Sequence, residues 1–148
     1  MAIDTSIILR NIIRVGRVSS VDTQNNTAKV YYPDRDNMIS DNLHIINRAS
    51  QNDKDYWVPD VDEQVLCLIL PNAGGNGMQE GFILGSFYST TNAPVVNSAD
   101  KRAIHFKDGG HIIHDRSTGN LDIHATGNIN IKAAGEIKIN GEVIKLNC

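Results

Sequence analysis

Histidines, cysteines and clustered carboxylates are the side chains of this 148-residue sequence with the most chemistry to offer. His111 and His114 stand three residues apart in a β-rich stretch, so on a strand they face opposite sides and do not both reach one ion. His105 precedes them, and His124 falls on a polar position of a repeat, where a solvated side chain is the expectation. Cys67, inside Val65-Leu-Cys-Leu-Ile-Leu70, reads as a small buried hydrophobe. Cys148 lies far from it with no metal-binding spacing, a usage that fits a reducing cytoplasm. Asp60, Asp62 and Glu63 follow a proline, and Asp53 and Asp55 sit in a polar stretch. Paired carboxylates can do acid–base work, but beside a proline turn they read as solvated loops. Gly74-Gly-Asn-Gly77 lacks the Lys-Ser/Thr and the helix of a nucleotide loop. With no Ser/His/Asp or Cys/His arrangement in a suitable context, the expectation is a protein that is not an enzyme and has no cofactor or metal site.

What the sequence does contain is a repeat. Residues 118–141 read Thr-Gly-Asn-Leu-Asp-Ile-His-Ala, Thr-Gly-Asn-Ile-Asn-Ile-Lys-Ala and Ala-Gly-Glu-Ile-Lys-Ile-Asn-Gly, three copies of one eight-residue unit. Leu121, Ile123, Ile129, Ile131, Ile137 and Ile139 alternate with polar residues, which predicts strands with one apolar face. Gly119, Gly127 and Gly135 interrupt the alternation where positive φ or close backbone approach would let the chain turn a corner. Eight residues extend to roughly 26 Å at about 3.3 Å each, too little chain to close a coil around its own core. Several identical chains winding about a common axis solve this, and three make a triangular prism. The six large aliphatics then form a trimer core, the glycines its corners. After Gly141 the period slips, because Ile144 and Leu146 follow Ile137 and Ile139 by seven residues. Ile144, Leu146 and Cys148 therefore form a distinct tip, where three thiols could converge or simply fray.

The elements before the repeat are shorter and more varied. Residues 3–13 have loosely helical apolar spacing and read as an arm or short helix. β-rich runs follow at 14–22 and 27–33 around Gln-Asn-Asn, at 43–47, at 65–70 as a continuous apolar strand covered on both sides, and at 81–88. Five short strands suggest a small oligonucleotide/oligosaccharide-binding (OB) barrel. The fold class is thus all-β: an N-terminal OB-fold barrel and a C-terminal intertwined trimeric β-helix of octads. The division is 1–13 arm, 14–92 OB domain, 93–102 linker and 103–148 spike. Residues 1–100 carry 7 basic and 12 acidic side chains and residues 101–148 carry 7 and 5, which offers no nucleic-acid footprint. No stretch approaches the roughly 20 apolar residues of a membrane span, and the first residues lack a basic leader, so synthesis and folding inside the cell are expected.

An OB-like barrel followed at once by a glycine-punctuated octad prism resembles the baseplate assembly protein V family, the central spikes of contractile phage tails, and the related valine-glycine-repeat spikes of type VI secretion. The matching residues are Arg14-Val-Gly-Arg-Val, Tyr32-Pro-Asp, Trp57-Val-Pro, Glu63-Gln-Val-Leu, Glu80-Gly-Phe-Ile-Leu-Gly-Ser-Phe-Tyr88 and Phe106-Lys-Asp-Gly-Gly before the octads. Ser117, Ala125 and Ala133 stand where such spikes show valine or another small apolar residue. The resemblance implies a homotrimer on the axis of a virion or tailocin tail, made in the bacterial cytoplasm. Its barrel would attach to a baseplate hub protein and its prism would pierce the target-cell envelope on sheath contraction. Some relatives insert a lysozyme domain between the two parts, for which the junction 88–101 is too short. Others hold an axial iron through His-x-His near the tip, a motif absent from the last coils here; an axial ion at His105 or His111 is likewise not expected. Whether the C-terminus is itself the tip or carries a separate tip protein stays open, as does phage, tailocin or secretion-system origin.

Two other readings compete. One is a trimeric OB module that binds glycans or nucleic acid, with the β-helix as a stalk. Such sites combine basic grooves with stacking aromatics, and this acidic region offers only Tyr31, Tyr32, Tyr56 and Trp57. The other is an acyltransferase-like β-helix, whose period of six the octads do not match.

Overall fold

Thr27-Ala-Lys-Val-Tyr-Tyr32 shows how the first part of the chain folds: Ala28, Val30 and Tyr32 are buried while Lys29 between them is exposed. The same alternation builds every long strand of this part. The computed structural model describes residues 5–71 and 78–147, and the chain divides into two compact units, 1–93 and 94–148.

The first unit contains α1 (Thr5–Ile12), β1 (Ile13–Asp22), β2 (Thr27–Tyr32), a 3₁₀ turn at Pro33–Arg35, β3 (Met38–Ile39), β4 (Leu43–Ile45), β5 (Gln64–Pro71) and β6 (Met78–Ser86). The strands run in the order β1-β5-β6-β4-β2, and pairing of β1 with β2 closes them into a five-stranded barrel, with β3 added beside β2. Closure depends on β1 serving two neighbours. Residues 13–17 pair with β5 and residues 17–22 with β2, with a register shift between Val18 and Ser20. At the changeover β1 passes so close to β2 that a Cβ on Gly16 would collide with the Val30 side chain and come within 2.6 Å of the Tyr31 carbonyl oxygen. The β1–β2 turn is tied by Asp22, whose Oδ1 accepts from the amides of Gln24 and Asn25 at 3.0 and 3.2 Å.

The core inside the barrel includes Val18, Val30, Tyr32, Leu43, Val65, Cys67 and Ile83. β5 differs from expectation. Val65, Cys67 and Ile69 are buried, Leu66 and Leu68 are half-buried and Leu70 is exposed, so one face fills the barrel and the other is only partly covered. α1 lies against β5 and β1. The final strand also differs: β6 ends at Ser86, leaving Phe87 and Tyr88 exposed beyond it. The glycine-rich loop 74–77, the first four residues and Cys148 lie outside the described residues.

The second unit contains β7 (Lys101–His105), β8 (His111–Asp115) and β9 (Asn120–His124) in an antiparallel meander. β7 begins at Lys101, inside the segment read as linker. From Ala125 onward the described chain forms no strand pairs of its own, but it bends at residues 126–127, at 134–135 and at 142. A β-helix is therefore not built by one chain alone.

Candidate assembly face

Register sorts the side chains of β7, β8 and β9 onto two faces. Ile104 pairs with Ile112 and Ile112 with Ile123, while Arg102 pairs with His114 and His114 with Leu121. These six share one face. On the other, Lys101 pairs with Asp115, Ala103 with Ile113, Ile113 with Asp122, and His105 with His111, which pairs in turn with His124.

The first of these faces carries four aliphatics, and the octads beyond it carry more, all of them exposed. Leu121, Ile123, Ile129, Ile131, Ile137 and Ile139 are between 50% and 72% exposed. Ile104, Ile112, Val143, Ile144 and Leu146 are exposed as well. Among the described residues of this unit only Gly110 is buried. Burying a Leu or Ile side chain is worth about 1.5–3 kcal/mol, and none of that is gained here within one chain. So many exposed large aliphatics in one unit make it a candidate interaction surface.

The corner glycines do not all turn the chain in the same way. Gly119 has φ +76° and lies in the β8–β9 turn, where its amide donates to the Asp115 carbonyl at 2.8 Å. Gly127 and Gly135 lie in the bends but are not among the residues with positive φ, and a Cβ on either would meet nothing within 4 Å in its own chain. Of the two reasons for glycine at the corners, positive φ is thus seen at Gly119 alone of the three.

The other face carries a row of imidazoles. The rings of His105 and His111 are 5.6 Å apart between centroids, and those of His111 and His124 stack at 5.1 Å. Sequence spacing could not reveal this row, because it depends on strand register; it sets His105 and His111 opposite the apolar face and leaves His114 on it. Nearby, Asp108 links two pieces of chain. Its Oδ1 accepts from the Gly110 amide at 2.9 Å and its Oδ2 from the Thr126 hydroxyl at 2.6 Å, so the start of the second octad is tied to the β7–β8 turn. Those hydrogen bonds, Thr126 first, hold the Asp108 carboxyl below its ordinary value of 3.8. The turn itself requires Gly109, at φ +98°.

Comparison with known proteins adds the deciding observation. No family model matches the sequence. The chain is 31% identical over 115 residues, 78% of its length, to the Spike protein of Escherichia phage P2. Over that stretch the chain is similar to a phage spike protein. It spans about half of that relative, 51% of its length.

Among its described residues the barrel presents little that resembles a small-molecule site. Its cleft, lined by Ile46, Trp57, Pro59 and Ile83, has a volume of about 150 Å³, below the roughly 300–1,000 Å³ of ligand pockets. At its edge Arg48 Nε and Asp55 Oδ2 form an ion pair at 2.8 Å. Of the four aromatics weighed for stacking, Tyr32 is buried in the core and the Tyr31 hydroxyl donates to Asp62 at 3.2 Å, whereas Tyr56 and Trp57 are exposed. Asp60, Asp62 and Glu63 form a turn. The Glu63 carboxylate accepts from the Asp60 amide at 2.7 Å, and the Asp62 amide donates to the Val18 carbonyl at 2.8 Å. Among the described residues no three metal-binding side chains converge. No described helix is long and apolar enough to cross a membrane.

Proposed function

We propose that this chain is the central spike of a contractile injection system baseplate, a homotrimer that works mechanically and catalyses nothing. The barrel, an OB fold in this reading, attaches to a tail hub protein. The C-terminal octads of three chains intertwine as a β-helix and are driven through the target-cell envelope when the sheath contracts. The protein is made in the bacterial cytoplasm and ends in the tail of a virion or tailocin.

The observation that carries this reading is the second unit. Its six large octad aliphatics are exposed in the single chain, while the backbone bends at the eight-residue spacing that three-sided winding needs. Gly127 and Gly135 support it too. Neither positive φ nor crowding within the chain accounts for them, and close approach of a neighbouring chain at the prism edge does. Similarity to a phage spike protein supports the mechanical role. Ile144, Leu146 and Cys148 then lie at the distal end, as the tip or beneath a separate tip protein.

Light scattering should give a mass near three times the 16.2 kDa chain, with a band that survives SDS unless boiled. Ile131→Asp places three carboxylates on the axis without partners, and it should abolish the trimer. A monomeric wild type, or an SDS-resistant Ile131→Asp trimer, would overturn the inward assignment.

A further inference from the structure

Two side chains break the run of aliphatics on the apolar face. Arg102 and His114 are cross-strand partners on β7 and β8, and they share that face with Ile104, Ile112, Leu121 and Ile123. Toward the strand ends, Arg116 Nε and Asp100 Oδ1 meet at 2.6 Å, so the charge of that carboxylate is already matched. Arg102 Nη1 donates to the carbonyls of Ala99 and Lys101, both at 3.0 Å, which holds the guanidinium along its own strand without neutralising it. The acids within β8 and β9, Asp115 and Asp122, lie on the opposite face. Farther along the octads, Glu136 is paired with Lys138 at 3.3 Å.

When three chains close over this face, three guanidiniums and three imidazoles collect at one level, where the strands β7, β8 and β9 bring no carboxylate to the same face. A buried charge without a counter-charge is strongly unfavourable. Guanidinium matches the oxygen geometry of phosphate, and a tetrahedral oxyanion can offer one oxygen to each of three symmetric donors. We propose that Arg102 and His114 of the three chains form an axial oxyanion site at the β7–β9 end of the prism, an inference that rests on the trimeric reading. The ion completes a polar layer beneath the aliphatic layers, and because each chain must bring its Arg102 to the same level, the layer also sets the register of the three chains.

Inorganic phosphate is the probe. Full-length protein is dialysed free of phosphate and sulfate and titrated calorimetrically at constant ionic strength. Mass is measured by light scattering on the same sample, and phosphate is assayed in acid-denatured protein so that retained ion is counted. One phosphate per three chains is expected, together with a several-fold longer unfolding half-time in SDS. Arg102→Gln should remain trimeric and lose the phosphate response; if it fails to assemble, His114→Asn serves instead and should weaken binding several-fold. A wild-type trimer that holds no phosphate, or one whose binding survives both substitutions, overturns the site and leaves the spike reading standing. A wild type that is not trimeric overturns both.

Discussion

A methyl group at Gly16 would meet the Val30 side chain and the Tyr31 backbone together, and neither can retreat: Val30 is fully buried and Tyr31 is held in the β1–β2 ladder. Gly16→Ala should therefore destabilise the barrel by about 1–3 kcal/mol, the usual range for overpacking. Denaturant unfolding followed by the fluorescence of Trp57, the one tryptophan, would measure it. An unchanged midpoint would mean that β1 can move off β2 at no cost. The same core sets the chemistry of two other groups. Burial pushes the Cys67 thiol up to about 11 and the Tyr32 hydroxyl up to about 12, so both stay protonated and unreactive near neutrality. The buried character of Cys67 was legible from its apolar neighbours. The role of Gly16 was not, because nothing in a linear sequence shows which residue of another strand lies across from it.

Between elements, the tie from the β7–β8 turn to the octads is one carboxylate. The pKa of Asp108 is lowered by its hydrogen bonds, so the stability it contributes is present above the ordinary value of 3.8 and is lost as pH falls through its lower folded value. The gap in unfolding temperature between wild type and Asp108→Asn should narrow as pH is taken from 5 to below 3.8, and a gap that stays constant would mean the charge is not what Thr126 and Gly110 bind. The barrel strands themselves were readable, since the β-rich runs at 14–22, 27–33, 43–47 and 81–88 and the continuous apolar run at 65–70 coincide with five strands of the structure. What alternation could not supply was register and partnership. β3 has two residues, too few for a period, and the division of β1 between β5 and β2 is a property of closure rather than of any local run. Register also decides which face Arg102, His114 and the three-histidine row occupy.

At the scale of the molecule the two units solve the burial problem differently. The first closes a barrel around its own core, whereas the second leaves its aliphatics on the surface. The octad period announced that difference in the sequence, because a pattern with one apolar face and too little chain to cover it has to find the cover elsewhere. The mechanism of the corners was less legible, since a glycine chosen for φ and a glycine chosen for a neighbour's approach look the same in a sequence.

The bends at 126–127, 134–135 and 142 make the distal part of the chain a ruler. In a prism whose stacked segments are spaced about 4.8 Å apart, each octad adds one such step of length to the rod, and intermediate lengths do not exist. Removing residues 126–133, one whole octad, should give a shorter rod that still resists SDS, while removing 126–129 should put Gly135 where Ile131 belongs and Ile131 at a glycine corner, and prevent assembly. Length of penetration would then be set by counting, and a lineage could lengthen or shorten its needle by copying or losing eight codons at a time.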